Sequence, residues 1–130
     1  MARLGELERK VMDVLWAAVG TELTVRQVAE ELPRHAYTTV LTVLDRLERK
    51  DMVRRTKEGR AFRYAAAASR EAYTAQLMHE ALGAALDRDA VLVRFAETVT
   101  GAEAQVLRRA LVGMEEQPRA RAKRARTVKG

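Results

Sequence analysis

The sequence contains no cysteine, and this absence excludes several kinds of chemistry at once. None of its 130 residues carries a thiol that could form a disulfide, bind a soft metal ion or act as a nucleophile. A fold stapled by disulfides and copper sensing through thiolates are therefore both excluded. A reducing cytoplasm fits this composition.

Long hydrophobic runs are also missing. No stretch approaches the roughly 18 consecutive apolar residues of a membrane-spanning helix. The first residues, "MARLGELERKVMD", have no apolar segment of the length found in signal peptides. We therefore expect a cytoplasmic protein with no membrane insertion.

Groups that perform catalysis are few and badly spaced. The chain has a single serine, Ser69, and two histidines, His35 and His79. Ser69 is explained as the cap of a helix, and no glycine-rich phosphate loop, HExxH motif or nucleophile–base spacing occurs. His79 and Glu80 would make half of a metal site in a dimer, but a solvent-facing helix pair is the preferred interpretation. The sequence thus predicts no enzyme, no cofactor and no metal site.

Positive charge is concentrated in two segments. The net charge is +6, yet residues 1–116 hold 18 basic and 18 acidic residues, and the last 14 residues hold six basic residues and no acid. Within the balanced part, residues 34–70 carry ten basic and four acidic residues, so the segments on either side are acidic. A basic middle segment indicates an anion-binding face.

The first half of the chain has the element order of a winged helix-turn-helix. Apolar spacing predicts helices over 5–19 and 37–50, with a short helix between them that opens on the capping box Thr24–Gln27. The segment "DMVRRTKEGRAFRY" alternates in polarity around Gly59, which predicts strand, turn and strand. A short extended stretch, "TELT", precedes the second helix. This order of helices followed by a hairpin is a helix-turn-helix with a wing.

Trp16 and Met12 lie four residues apart on the face of the first helix opposite its main apolar stripe. A second apolar face indicates a second packing partner, from elsewhere in the chain or from another subunit. The alternative is that the large ring is merely half exposed.

The remaining chain is predicted to be helical and dimeric. We expect helices from Ser69, over 89–98 and from Gly101 to about 115, with apolar stripes on two sides. About 45 helical residues are too few to bury two apolar stripes by themselves, and without cysteine no disulfide can stabilise them. A homodimer, in which each copy covers the stripes of the other, is therefore expected. The residues predicted to form the dimer contact are Tyr73, Leu77, Met78, Leu82, Leu86, Leu92, Phe95, Val106, Leu107 and Leu111.

The predicted fold class is therefore mainly α with a small β-hairpin: a winged helix-turn-helix followed by a C-terminal helical dimerisation region. The expected boundaries are 1–68 for the DNA-binding domain, 69–116 for the dimerisation domain and 117–130 for a basic, disordered tail.

Three threonines mark the outer face of the third helix. A helical wheel places one apolar group toward the core, namely Tyr37, Val40, Val43, Leu44 and Leu47. Thr38 and Thr42 lie on the opposite side, where a recognition helix reads bases with its N-terminal part. Threonine is short and offers both a hydroxyl and a methyl group to base edges.

A routine solvated face would also explain isolated threonines. The element order and the basic wing favour contact with DNA. The residues predicted to bind DNA are Thr38, Thr39, Thr42, Arg46, Arg49, Lys57, Arg60 and Arg63.

From about Leu4 to Leu111 the sequence resembles the penicillinase-repressor family. The resemblance rests on the segments "LGELERKVMDVLW", "LTVRQVAEEL", "AYTTVLTVLDRLERKDMVRR" and "GRAFRYAAAASREAY", of which "YTTVLTVLDRL" is the most specific. It implies a dimeric repressor that binds a palindromic operator in double-stranded DNA and dimerises through C-terminal helices. It also implies a membrane sensor-protease that detects β-lactam and leads to cleavage of the repressor.

Two departures from the family pattern matter: the pair at the expected cleavage position, and the absence of the C-terminal cysteine cluster that a copper-responsive branch of the family carries. The family is cleaved at an Asn-Phe pair, whereas the matching residues are Arg94 and Phe95 and the chain contains no asparagine. Cleavage at this position by the same rule is not expected, which leaves the inducing signal open. Asp51 is a smaller departure: it stands where the family often has glycine after the recognition helix, and aspartate tolerates the left-handed conformation better than most residues.

The interpretation is a dimeric transcriptional repressor. The alternatives are a winged helix that contacts another protein, and an activator or regulator of unrelated genes with a different signal.

Overall fold

The computed structural model describes residues 3–116, and the predicted basic tail lies outside them. The order of the elements is α1 (Glu6–Ala17), β1 (Leu23–Thr24), α2 (Val25–Glu30), α3 (Tyr37–Arg49), β2 (Val53–Glu58), β3 (Ala61–Ala66), α4 (Arg70–Gly83), α5 (Arg88–Thr98) and α6 (Gly101–Glu115). The fold is mainly helical with one small sheet, as the sequence predicts.

Side-chain caps start several of these helices where the sequence indicates. The Thr24 hydroxyl accepts a hydrogen bond from the Gln27 amide at 3.2 Å, and the Gln27 side chain accepts one from the Thr24 amide at 2.8 Å. Thr100 and Glu103 repeat this capping box at the start of α6. Ser69 caps α4 by accepting a hydrogen bond from the Ala72 amide at 3.0 Å. The single serine thus has a structural role.

The sheet is antiparallel, with strand order β1-β3-β2. Glu58 pairs with Ala61, so Gly59 and Arg60 form a two-residue turn at the tip of the wing. Gly59 has a φ of 63°, which a two-residue hairpin turn with glycine first requires.

The core is built by the helices and the sheet together, and it confirms most of the wheel of α3. Val40, Leu44 and Leu47 have no exposed surface, and Val43 is 4% exposed. Tyr37, which the wheel placed on the core side, is 51% exposed, so this expectation is wrong. Tyr37 is the first residue of α3, and a wheel gives the direction of a side chain but not whether another element lies there to cover it.

Met12 and Trp16 also belong to the core, with 0% and 5% exposure. The packing partner of Trp16 is in the same chain: its ring centroid lies 5.6 Å from that of Tyr73 in α4. The alternative of a half-exposed tryptophan is therefore wrong.

The chain forms two compact units, one reaching to Ala84 and one beginning at Ala85. Tyr73 is buried and Leu77 packs against the core of the first unit, so α4 packs with the winged helix. Both side chains were expected to face a partner, yet both are in contact with their own chain. The first compact unit thus includes α4, and the start of the dimerisation domain at Ser69 stays a prediction.

The second unit contains α5 and α6, neither of which has a buried residue. Large apolar side chains are exposed along both helices, and the set is Val91, Leu92, Val93, Phe95, Val106, Leu107, Leu111 and Val112. Two helices of this size leave their apolar faces open to solvent, which is unusual for an isolated domain.

Candidate nucleic-acid interface

The outer face of α3 presents the predicted polar residues to solvent. Thr38, Thr39, Thr42, Arg46 and Arg49 are all exposed, while the opposite face of the same helix is buried. The α2–α3 turn is tied by the His35 amide, which donates to the Leu32 carbonyl at 3.0 Å. The helix-turn-helix therefore holds a polar, basic surface outward on a rigid apolar base.

Thr42 makes a hydrogen bond that limits what it offers to a ligand. Its hydroxyl donates to the Thr38 carbonyl at 2.9 Å, one helical turn earlier. In this conformation the hydroxyl hydrogen is used, so the outward groups are the oxygen lone pairs and the methyl group. Such a side chain accepts from an amino group and contacts a methyl group.

Several predicted cations have no ion pair with another residue in the range 3–116. These are Arg46, Arg49, Lys57 and Arg60. They extend from the exposed face of α3 to the tip of the wing. Unpaired exposed cations are available to contact phosphate groups.

Arg63 differs from the other predicted cations. It pairs with Thr56 across the sheet, and its guanidinium forms an ion pair with the Glu58 carboxylate. Thr56 in turn donates to the Glu22 carboxylate at 2.8 Å. The face of the wing that carries Arg63 is thus partly neutralised by acids of the same chain.

A contact that the sequence did not reveal joins the wing to α3. Nη1 of Arg55 lies 3.6 Å from the Asp45 carboxylate, and the Arg55 guanidinium carbon lies 4.3 Å from the centre of the Phe62 ring. Arg55 therefore neutralises the one acid on the outer α3 face and holds the wing beside it. The register of β2 and β3 pairs Arg55 with Tyr64, and the alternation in the sequence gave no distance from Arg55 to α3.

Tyr64 lies under this contact and has no exposed surface. Burial raises the pKa of its hydroxyl, and the Arg55 guanidinium offsets the rise only in part. Tyr64 therefore stays neutral and serves the core at physiological pH.

The end of α3 is a Schellman motif with aspartate in the usual glycine position. The Met52 amide donates to the Leu47 carbonyl at 2.9 Å, and the Asp51 amide donates to the Glu48 carbonyl at 3.0 Å. Asp51 has a φ of 60° and is the one non-glycine residue with positive φ among the described residues. The expectation that aspartate tolerates this conformation is confirmed. The turn leads directly into β2, the first strand of the wing.

Other site types find no support in residues 3–116. That range contains no group of three or more histidine, aspartate or glutamate side chains able to hold a metal ion. None of its helices is long and apolar enough to cross a membrane.

Comparison with known proteins identifies the family of this chain. The sequence profile described as penicillinase repressor matches residues 4–112. The chain belongs to the penicillinase-repressor family. The transcriptional regulator BlaI of Mycobacterium tuberculosis is 48% identical over 121 residues, which cover 88% of this chain and 87% of that protein.

Solved structures resemble it more distantly. A MarR family protein from Bacillus stearothermophilus is 18% identical with a TM-score of 0.46, covering 89% of this chain and 76% of that one. Streptococcus pneumoniae FabT in complex with DNA is 19% identical with a TM-score of 0.45, covering 90% and 77%.

Family membership confirms two predictions made from the sequence. The chain is a transcription regulator, and such regulators are a non-enzymatic class. A third prediction, the winged helix-turn-helix, is confirmed by the order of the helices and the three-stranded sheet.

Proposed function

We propose that this regulator is a homodimeric repressor that binds a palindromic operator in double-stranded DNA. The observation that carries the proposal is the division of α3: Val40, Leu44 and Leu47 are fully buried, while the threonines and arginines of the other face are exposed. A buried apolar base and a short, polar, basic outer face suit a helix that enters the major groove.

Each half of the proposed interface has its own task. Thr38, Thr39 and Thr42 read base edges, and Arg46 and Arg49 reach a guanine or a phosphate group. Lys57 and Arg60 at the wing contact the backbone, which adds affinity but little sequence preference. Arg63 contributes less than these two because Glu58 already pairs with it.

The exposed apolar side chains of the C-terminal helices supply the proposed dimer contact. Those of the predicted set that remain exposed are Met78, Leu86, Leu92, Phe95, Val106, Leu107 and Leu111, with Leu82 partly buried. Tyr73 and Leu77 are left out because both pack against the core of their own chain. A two-fold dimer gives two recognition helices, and they fit half-sites about 34–36 Å apart or a multiple of that distance.

Release from DNA is proposed to follow a signal that weakens the dimer, because one half-site alone binds poorly. A membrane sensor-protease is the partner that the family resemblance implies, acting on a cytoplasmic repressor. Its substrate bond would here join Arg94 to Phe95, and Phe95 is 41% exposed on α5. The arginine in place of asparagine requires a protease with a different preference, or a signal of another kind.

The test is a footprint of the purified protein on its own upstream DNA. We expect protection of a palindrome, with weaker protection by the variant Arg46→Ala/Arg49→Ala. The matched control Arg108→Ala/Arg109→Ala removes the same charge from α6 and should protect the same bases. A folded protein that protects no palindrome there would refute the repressor proposal and favour the alternative of a protein-binding winged helix.

A further inference from the structure

The indole of Trp16 is the centre of a contact between α1 and the start of α4. Its Nε1 donates to the Ala68 carbonyl at 3.0 Å, in the short connection between the wing and α4. The Tyr73 ring packs on it, and the Tyr73 hydroxyl accepts a hydrogen bond from the Leu4 amide at 3.3 Å. Hydrogen bonds thus join α1 to the residues just before α4, and the first turn of α4 to the residues just before α1.

Charged side chains on the surface also contact one another and the Trp16 ring at this place. Asp13 accepts a hydrogen bond from Nη1 of Arg70 at 2.8 Å and from Nε of Arg9 at 3.3 Å. The guanidinium carbons of Arg70 and Arg9 lie 5.1 and 5.6 Å from the centre of the Trp16 ring. Arg70 therefore makes an ion pair and a cation–π contact simultaneously, and each contact depends on direction as well as distance.

This set of contacts is more specific than core packing requires. Apolar contacts alone would bury Trp16 while allowing α4 to rotate, because the hydrophobic effect has no direction. Hydrogen bonds to Ala68 and Asp13 hold the first turn of α4 at one angle to α1. Since α1 also packs against α3, the angle of α4 is fixed relative to the recognition helix.

We propose that Asp13, Trp16 and Arg70, here called the Trp16 bracket, are positioning residues for operator recognition. They fix the direction of α4, which carries Met78 and Leu82 of the proposed dimer contact, and thereby the half-site spacing that the dimer accepts. This inference rests on the proposed dimeric DNA binding. If α4 is held in one direction, both recognition helices reach their half-sites together at one spacing, and affinity is highest there. If α4 can change direction, the dimer binds several spacings, each with lower affinity.

The experiment compares three DNA duplexes by fluorescence anisotropy. They are a palindrome selected from a random library by the wild-type protein, the same palindrome with one base pair inserted at its centre, and a single half-site. The variants are Arg70→Gln and Asp13→Asn. The matched controls are Glu6→Gln and Lys10→Gln, because Glu6 and Lys10 form an exposed pair on α1 at 3.9 Å.

For the bracket variants we expect palindrome binding to weaken by about tenfold. Half-site binding should be unchanged, and the preference for the original spacing over the inserted one should shrink. The control variants should behave like the wild type. Arg70→Lys keeps the charge but replaces the guanidinium that contacts both Asp13 and the Trp16 ring, so its binding should fall between that of the wild type and that of Arg70→Gln.

Trp16 is the only tryptophan in the chain, so its fluorescence reports directly on the bracket in each variant. An altered emission with an unchanged melting temperature would show that the bracket opens without unfolding.

Two results would overturn the inference: equal losses on half-site and palindrome, or an unchanged spacing preference in variants whose Trp16 emission has changed. A wild-type protein that binds the palindrome no better than the half-site would refute the dimeric function itself. If Arg70→Gln fails to fold, Arg70→Lys and Asp13→Asn supply the same comparison.

Discussion

Glu8 near the start of α1 and Lys50 at the end of α3 form an ion pair that is largely buried. Nζ of Lys50 lies 2.8 Å from Oε2 and 3.0 Å from Oε1 of Glu8, whose side chain is only 7% exposed. Oε1 also accepts a hydrogen bond from the Gly5 amide at 2.8 Å. One carboxylate therefore caps α1 and fastens it to the C-terminal end of the recognition helix.

This pair predicts a loss of stability in acid. Burial raises the pKa of Glu8, but the Lys50 hydrogen bond and the Gly5 amide together outweigh burial and leave the pKa lowered. The unfolded chain then binds more protons than the folded chain near the ordinary carboxyl pKa. The contribution of Glu8 is fully present above that ordinary value and is lost as the pH falls through the lowered folded pKa.

Lys50→Met should lower the free energy of unfolding by about 1–3 kcal/mol at neutral pH, because it leaves a buried carboxylate without its partner. The variant should also lose less stability in acid than the wild type. Urea unfolding at neutral and acidic pH measures both effects, with Lys10→Met as the exposed-pair control. Equal acid sensitivity in Lys50→Met and the wild type would contradict the assignment to Glu8.

Asp51→Gly should stabilise the protein by about 0.5–1 kcal/mol. The φ of 60° places the aspartate Cβ in a strained position that glycine avoids. Thermal unfolding measures the gain, and Asp51→Val should lower the melting temperature because a β-branched residue tolerates this conformation least. A lower melting temperature for Asp51→Gly would show that the aspartate side chain contributes more than its strain costs.

Thr42→Val should reduce base discrimination while preserving the fold. Valine keeps the shape and a methyl group but has no oxygen to accept from an adenine or cytosine amino group. Binding to a series of half-sites with single base changes should show a loss of about tenfold in preference at one base pair. Thr42→Ser, which keeps the hydroxyl, should lose less there. Equal weakening on operator and random DNA would mean that Thr42 reads no base.

Leu107→Glu or Leu111→Glu should convert the proposed dimer to a monomer. Both side chains are apolar and nearly half exposed on α6, and a carboxylate in an apolar interface is costly to desolvate. Sedimentation measures the oligomeric state. Val19→Glu is the control, because Val19 is 87% exposed in the first unit and outside the predicted contact. A dimer that survives both α6 substitutions would place the interface elsewhere.

The order of elements and the faces of α3 could be predicted because both follow from local rules. Apolar spacing, the capping boxes at Thr24 and Thr100, and Gly59 at the turn act within a few residues of the chain. Tyr37 shows the limit of such rules: a wheel gives the direction of a side chain, but not whether another element lies there.

The sequence by itself determined the winged helix-turn-helix, the exposed threonine and arginine face and the position of Asp51 in a left-handed turn. Only the tertiary structure decided which partner covers Trp16, that Asp45 is neutralised by Arg55, and that Glu8 reaches Lys50. Each of these contacts joins different elements of the chain. Trp16 and Tyr73, for example, belong to helices that precede and follow the wing in the sequence. Their pairing depends on how whole elements pack, which no local spacing records.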